Sequence, residues 1–68
     1  MVNKLKQCRE NHQITQEQLA QLVGVSRQSI ISIEKGHYVP TSVLALKISH
    51  VLNLKVEDLF LLESTDWK

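Results

Sequence analysis

A chain of 68 residues has room for one domain, and a core of that size contributes only a few kcal/mol unless a disulfide, a metal or a second subunit adds to it. The single cysteine, Cys8, excludes an internal disulfide, and no Cys/His grouping has zinc-ligand spacing, which suits a reducing, cytoplasmic setting and gives no reason to expect a metal or other cofactor. The formal net charge of +1 excludes an argument for nucleic acid from charge alone, and residues 1–40 carry only five Lys/Arg against three Glu, so any such argument must rest on pattern and position.

The N-terminus has no apolar run of signal-peptide type, and no apolar stretch is longer than that from Leu59 to Leu62, far too short to span a bilayer. The reading is therefore of a soluble intracellular protein without a membrane partner. Gly and Pro are scarce, and there is no repeat or low-complexity segment, so the chain reads as helices joined by short turns, an all-α fold. From Lys4 to Asn11, Leu5, Cys8 and the stem of Arg9 share one helical face, which defines helix one. Cys8 on that face reads as core packing rather than as a reactive thiol.

Thr15, followed three residues later by Gln18, forms a capping-box pattern that starts helix two, Gln16 to Val23, with Leu19, Ala20 and Val23 inward. Gly24 ends it, because glycine takes the left-handed helix C-terminal conformation without a Cβ penalty. Only Val25 then separates Gly24 from Ser26, a good N-cap, so helix three, Arg27 to Lys35, starts after a very tight turn that fixes the crossing angle. Ile30 and Ile33 face the core, Gly36 stops the helix, and Arg27, Gln28, Ile31, Ser32 and Lys35 point elsewhere. After the loop His37 to Pro40, Thr41 caps helix four, Ser42 to Leu52, whose Leu44, Ala45, Ile48, Val51 and Leu52 form a wide apolar stripe, and Asn53 suits its end. A short helix five, Val56 to Leu61, starts with Glu57 and Asp58 near its positive terminus and buries Leu59 and Phe60.

Thr15-Gln16, Leu19-Ala20, Gly24-Val25-Ser26, Ile30, Ile33-Glu34 and Gly36 therefore set a helix, a tight turn and a second helix in fixed register. From Leu5 to Phe60 the chain resembles the Cro/CI-type (XRE-like) helix-turn-helix family. In length and in the run Val25-Ser26-Arg27-Gln28-Ser29-Ile30 it is similar to that family's small stand-alone bacterial repressors. The resemblance implies a five-helix, lambda-repressor-like DNA-binding domain over residues 1–68, with the helix-turn-helix at 15–35 and the third helix in the major groove. It also implies a small antiparallel pair of the termini, Val2 to Lys4 against Leu61 to Ser64. Under it, Arg27, Gln28 and Ser32 face base edges, and the exposed Ile31 meets a thymine methyl.

The same resemblance makes Gln16 a phosphate ligand, with Ser26, Ser29, Lys35, His37 and Tyr38 at further backbone contacts. Tyr38 suits equally a packing role against helix four. It further pairs Arg9 with Glu34 in a largely buried structural bridge. Val43, Leu46, Leu61 and Leu62 exceed what one small core needs, so they either complete the monomer or, with Trp67 as an anchor, form a dimer interface centred on residues 56–68. His12, His37 and His50 are scattered without ligand spacing. No nucleophile, base or paired-carboxylate arrangement assembles, so no enzyme is expected. The expected partners are double-stranded DNA and a second copy of the chain, with no small-molecule ligand. The function so read is a dimeric transcriptional repressor on a near-palindromic operator, with an antitoxin-like or adaptor role through the apolar C-terminal surface as the alternative.

Overall fold

The computed structural model describes residues 1–67. In chain order these form β1 (Val2–Asn3), α1 (Leu5–Asn11), α2 (Gln16–Val23), α3 (Arg27–Glu34), α4 (Ser42–Val51), α5 (Val56–Leu59), β2 (Phe60–Leu61) and a closing 3₁₀ turn (Ser64–Trp67). Five helices surround one core, in which Leu5, Leu19, Ile30, Ile33, Ile48, Leu52 and Leu59 are fully buried. None is long and apolar enough to cross a membrane among the described residues.

The helix starts follow from local chemistry. Thr15 accepts from the Gln18 backbone N–H (3.0 Å), and the Gln18 side chain accepts from the Thr15 N–H (2.8 Å), closing the capping box. Ser26 and Thr41 each accept from the N–H three residues ahead, at 3.2 Å. Each such cap satisfies a donor that would otherwise lack a partner in the first turn.

The helix ends share one device. After α1, α2, α3 and α4 an N–H reaches back five residues: Ile14 to Arg9, Val25 to Ala20, His37 to Ser32 and Leu54 to Ser49. That closure requires a left-handed residue just before the donor. The positions are Gln13 (φ 57), Gly24 (φ 78), Gly36 (φ 79) and Asn53 (φ 55). Added Cβ atoms at Gly24 or Gly36 would meet nothing within 4 Å, so backbone conformation, not space, selects glycine there.

The C-terminal end departs from the expected helix five. Helix α5 stops at Leu59, and Phe60 turns to extended geometry (φ −122, ψ 120), so Leu61 is in a strand and not in a helix. Strand β2 pairs antiparallel with β1, Val2 opposite Leu61 and Asn3 opposite Phe60. The terminal pair thus exists, but it is set earlier than Leu61 to Ser64, and Ser64 begins the 3₁₀ turn. The change to extended geometry at Phe60 lets β2 pair with β1 while Leu59 and Phe60 both stay buried. The Met1 ammonium closes the end, 2.8 Å from Glu63 Oε1 and 3.1 Å from Asp66 Oδ2. The hydrogen bonds it donates to these carboxylates, Glu63 first and then Asp66, raise the affinity of the ammonium for its proton. The Glu63 backbone N–H, followed by the ammonium, lowers the Asp66 pKa.

Gln13 is the most strained of the four helix ends: a left-handed conformation costs a residue with a Cβ on the order of 1 kcal/mol, and Gln13 lacks the short polar side chain that eases it for Asn53. Gln13→Gly should raise stability by about that amount and Gly24→Ala lower it by about that amount, both read from urea denaturation midpoints.

Candidate nucleic-acid interface

Residues 15–35 form a helix, a three-residue turn (Gly24, Val25 and Ser26) and a second helix, and the small Ala20 of the first is buried (3% exposed). Helix α3 divides its faces. Ile30 and Ile33 are fully buried, while Arg27, Gln28 and Lys35 are exposed and Ser32 is half-buried. Ile31, expected to be exposed, is also half-buried. Only part of its side chain is open to a ligand, because it follows Ile30 at the margin of the apolar stripe.

The first turn of α3 carries two hydroxyls already bound to each other. Ser26 Oγ lies 3.1 Å from Ser29 Oγ and accepts from the Ser29 backbone N–H. One hydroxyl proton is used in this pair and one remains for an outside acceptor. Helix α2 offers similar capacity: the Gln16 and Glu17 N–H groups lie in the first turn, ahead of Gln18, the donor that Thr15 satisfies, and have no acceptor within their helix. Arg27 lines the same shallow hollow as Arg9, Thr15, Gln16 and Glu17. The beginnings of α2 and α3 therefore open on one surface, with their positive dipole ends and the Arg27 guanidinium beside it. Lys35, as the cap residue of α3, and His37 and Tyr38 beyond it are exposed at the other end of the helix.

Behind this surface stands a buried polar cluster. Glu34, whose side chain is 4% exposed, accepts from Arg9 Nε at 2.7 Å and Nη2 at 3.4 Å. Arg9 Nη1 donates to the Ile14 carbonyl at 2.8 Å. Gln16 Nε2 donates to Glu34 Oε1 at 3.1 Å. One carboxylate thus ties α1, the loop after it, the first residue of α2 and the last residue of α3. Sequence reasoning had no signal for the Gln16 bond, which joins residues 18 positions apart. Nor had it one for Asn3, whose Nδ2 donates to the Ile33 carbonyl at 2.9 Å while its Oδ1 accepts from the Leu5 N–H at 3.3 Å. Asn3 thereby anchors the C-terminal end of α3 to the terminal strand pair.

Val43, Leu46, Leu62 and Trp67 are well exposed and Leu61 is 37% exposed. They lie outside the helix-turn-helix, on α4, β2 and the closing segment. Among the described residues no group of three or more His, Cys, Asp or Glu is placed to hold a metal.

Residues 5–59 match the helix-turn-helix family HTH_3, and the chain belongs to that family, in its XRE-like form. It is 52% identical over 66 residues to an uncharacterised HTH-type transcriptional regulator of Methanocaldococcus jannaschii, MJ0272, covering 97% of this chain and 100% of the relative. It is 49% identical over 63 residues to the regulator YgzD of Bacillus subtilis, covering 93% and 96%. Among solved structures, the restriction-modification controller protein C.AhdI of Aeromonas hydrophila superposes with a TM-score of 0.76 at 30% identity, over 82% of this chain and 85% of that one. The clp gene regulator ClgR of Corynebacterium glutamicum gives 0.75 at 28% identity, over 79% of this chain but only 57% of that one. The chain is a transcriptional regulator with a helix-turn-helix DNA-binding domain, a class that is not enzymatic.

Removing one partner of a buried bridge leaves the other charged and unpaired, at a cost of about 3–5 kcal/mol. Arg9→Met should therefore lose stability in that range by urea denaturation, and the paired replacement Arg9→Met with Glu34→Leu should recover most of it.

Proposed function

We propose that the protein is a homodimeric repressor of a near-palindromic operator, working in the cytoplasm, with half-sites roughly 34 Å apart, one turn of DNA. Arg27, Gln28 and Ser32, with the open part of Ile31, read base edges. Gln16, Ser26, Ser29, Lys35, His37 and Tyr38 hold phosphates. The observation that carries this reading is the common opening of the α2 and α3 starts, with Arg27 and Gln16 lining one hollow and unused donors on both helices. A duplex backbone supplies acceptors at that spacing, and the exposed α3 turn then stands over base edges.

Subunit association is assigned to the exposed residues Val43, Leu46, Leu61, Leu62 and Trp67. Five large apolar side chains outside the DNA face favour a second copy of the chain as their cover. Lys68, the last position of the expected dimerisation region 56–68, lies outside the described residues. Residues 1–68 then act as one DNA-binding unit whose two-fold axis supplies the second half-site.

In vitro selection of bound duplexes should return an inverted repeat. Against that site, Arg27→Ala should relax preference at one base pair per half-site, at roughly 1–3 kcal/mol of discrimination, whereas Gln16→Ala should weaken all sequences about equally. Uniform weakening by Arg27→Ala would move Arg27 to the backbone set, a placement its neighbourhood with Gln16 makes a real competitor. Leu46→Asp or Leu62→Asp should convert the dimer to monomer in sedimentation equilibrium. Persistence of a dimer in both variants would remove this face from the assembly, and stoichiometric co-purification of a different protein would favour the adaptor role.

A further inference from the structure

We propose that Glu34 is a positioning residue for DNA binding, acting through the Gln16 side chain rather than only through its bridge to Arg9. This rests on the reading of Gln16 as a phosphate contact. A buried carboxylate accepts hydrogen bonds and donates none. Glu34 Oε1 therefore selects one of the two orientations of the Gln16 carboxamide, the one with Nε2 inward at 3.1 Å. That nitrogen has two protons: one is held by Glu34, and the other is left in a fixed direction for a phosphate oxygen. Without the constraint the carboxamide turns over and presents its carbonyl oxygen, which repels a phosphate. The carboxylate is itself immobile, because Arg9 Nε fixes its other oxygen at 2.7 Å and the Ile14 carbonyl fixes Arg9. The chain thereby arranges the donor before DNA arrives, which removes an ordering cost from binding.

Glu34→Gln keeps the volume and changes this logic. Its amide oxygen stays with Arg9 Nε, keeping the short bond and giving up the long one from Nη2, and its nitrogen faces Gln16, which favours the reversed carboxamide. The test is a double-mutant cycle on binding to random-sequence double-stranded DNA, comparing the native chain, Gln16→Ala, Glu34→Gln and both together, with folded fraction checked by circular dichroism. Glu34→Gln should weaken binding about fivefold when Gln16 is present, the size of an ordinary coupling between neighbouring polar groups, and less than about twofold in the Gln16→Ala background. Equal losses in both backgrounds would overturn the positioning role while leaving Gln16 as a phosphate contact. No loss from Gln16→Ala alone would overturn the phosphate reading and this role with it.

Should Glu34→Gln fail to fold, the native chain carries the test by NMR. One Gln16 side-chain amide proton should be protected from exchange without DNA, and on adding DNA its geminal partner should shift far more than it does. A Gln16 amide that exchanges as fast as that of the exposed Gln21 would overturn the proposal.

Discussion

The Glu34 carboxylate is the constraint on which the rest of the helix-turn-helix depends. A charge with 4% of its side chain exposed is tolerated only when opposite charge and hydrogen bonds surround it, so the chain must bring Arg9, the Ile14 carbonyl and Gln16 to one place. Doing so determines where α1 lies against α3, how the loop between α1 and α2 runs, and where α2 begins. Apolar residues of similar volume would often serve stability as well or better. What they would not provide is direction: a buried bridge has one geometry, and Ile30 and Ile33 packed beside it leave α3 no freedom to rotate. The bridge is thus a positional device, and the helix it locks is the one to which the proposed function assigns the base contacts.

Those parts of the fold that obey local rules were legible in the sequence. Helix α2 is bounded by Thr15, Gln18 and Gly24, each acting within four residues of the backbone group it satisfies, and its limits emerge to the residue. The stops at Gly36 and Asn53 are legible for the same reason. Gln13 was not, because a left-handed glutamine carries no compositional mark; the surrounding contacts, not its own propensity, hold it there. The end of α5 failed for a related reason. Phe60 leaves the helix so that β2 meets β1, a contact between the two ends of the chain. Asn3 and the Gln16–Glu34 bond belong to the same category of long-range polar contacts, for which periodicity supplies no register. On α3 the exposure of Arg27, Gln28 and Lys35 and the burial of Ile30 and Ile33 followed from helical spacing, whereas the half-burial of Ile31 and Ser32 escaped it, since a marginal position on a helix is decided by the neighbours that reach it.

A net charge of +1 bears on how such a protein holds DNA. Nonspecific affinity comes from cations neutralising phosphates and rises with their number, and here the face around α2 and α3 offers Arg27 and Lys35 with the carboxylate of Glu17 among them. Long-range attraction is therefore modest. In the proposed complex, affinity must come instead from short-range groups held in place beforehand: first-turn N–H groups of α2, the one free proton of the Ser26–Ser29 pair, and the Gln16 amide. Neutral donors of this kind contribute only when their direction is correct, because a dipole turned over repels what it was meant to bind. A weakly charged face thus raises the demand on orientation, and orientation is what the buried Glu34 cluster and the helix caps supply. On this argument the low charge and the buried salt bridge are two aspects of one design, in which binding depends on rigidity more than on attraction.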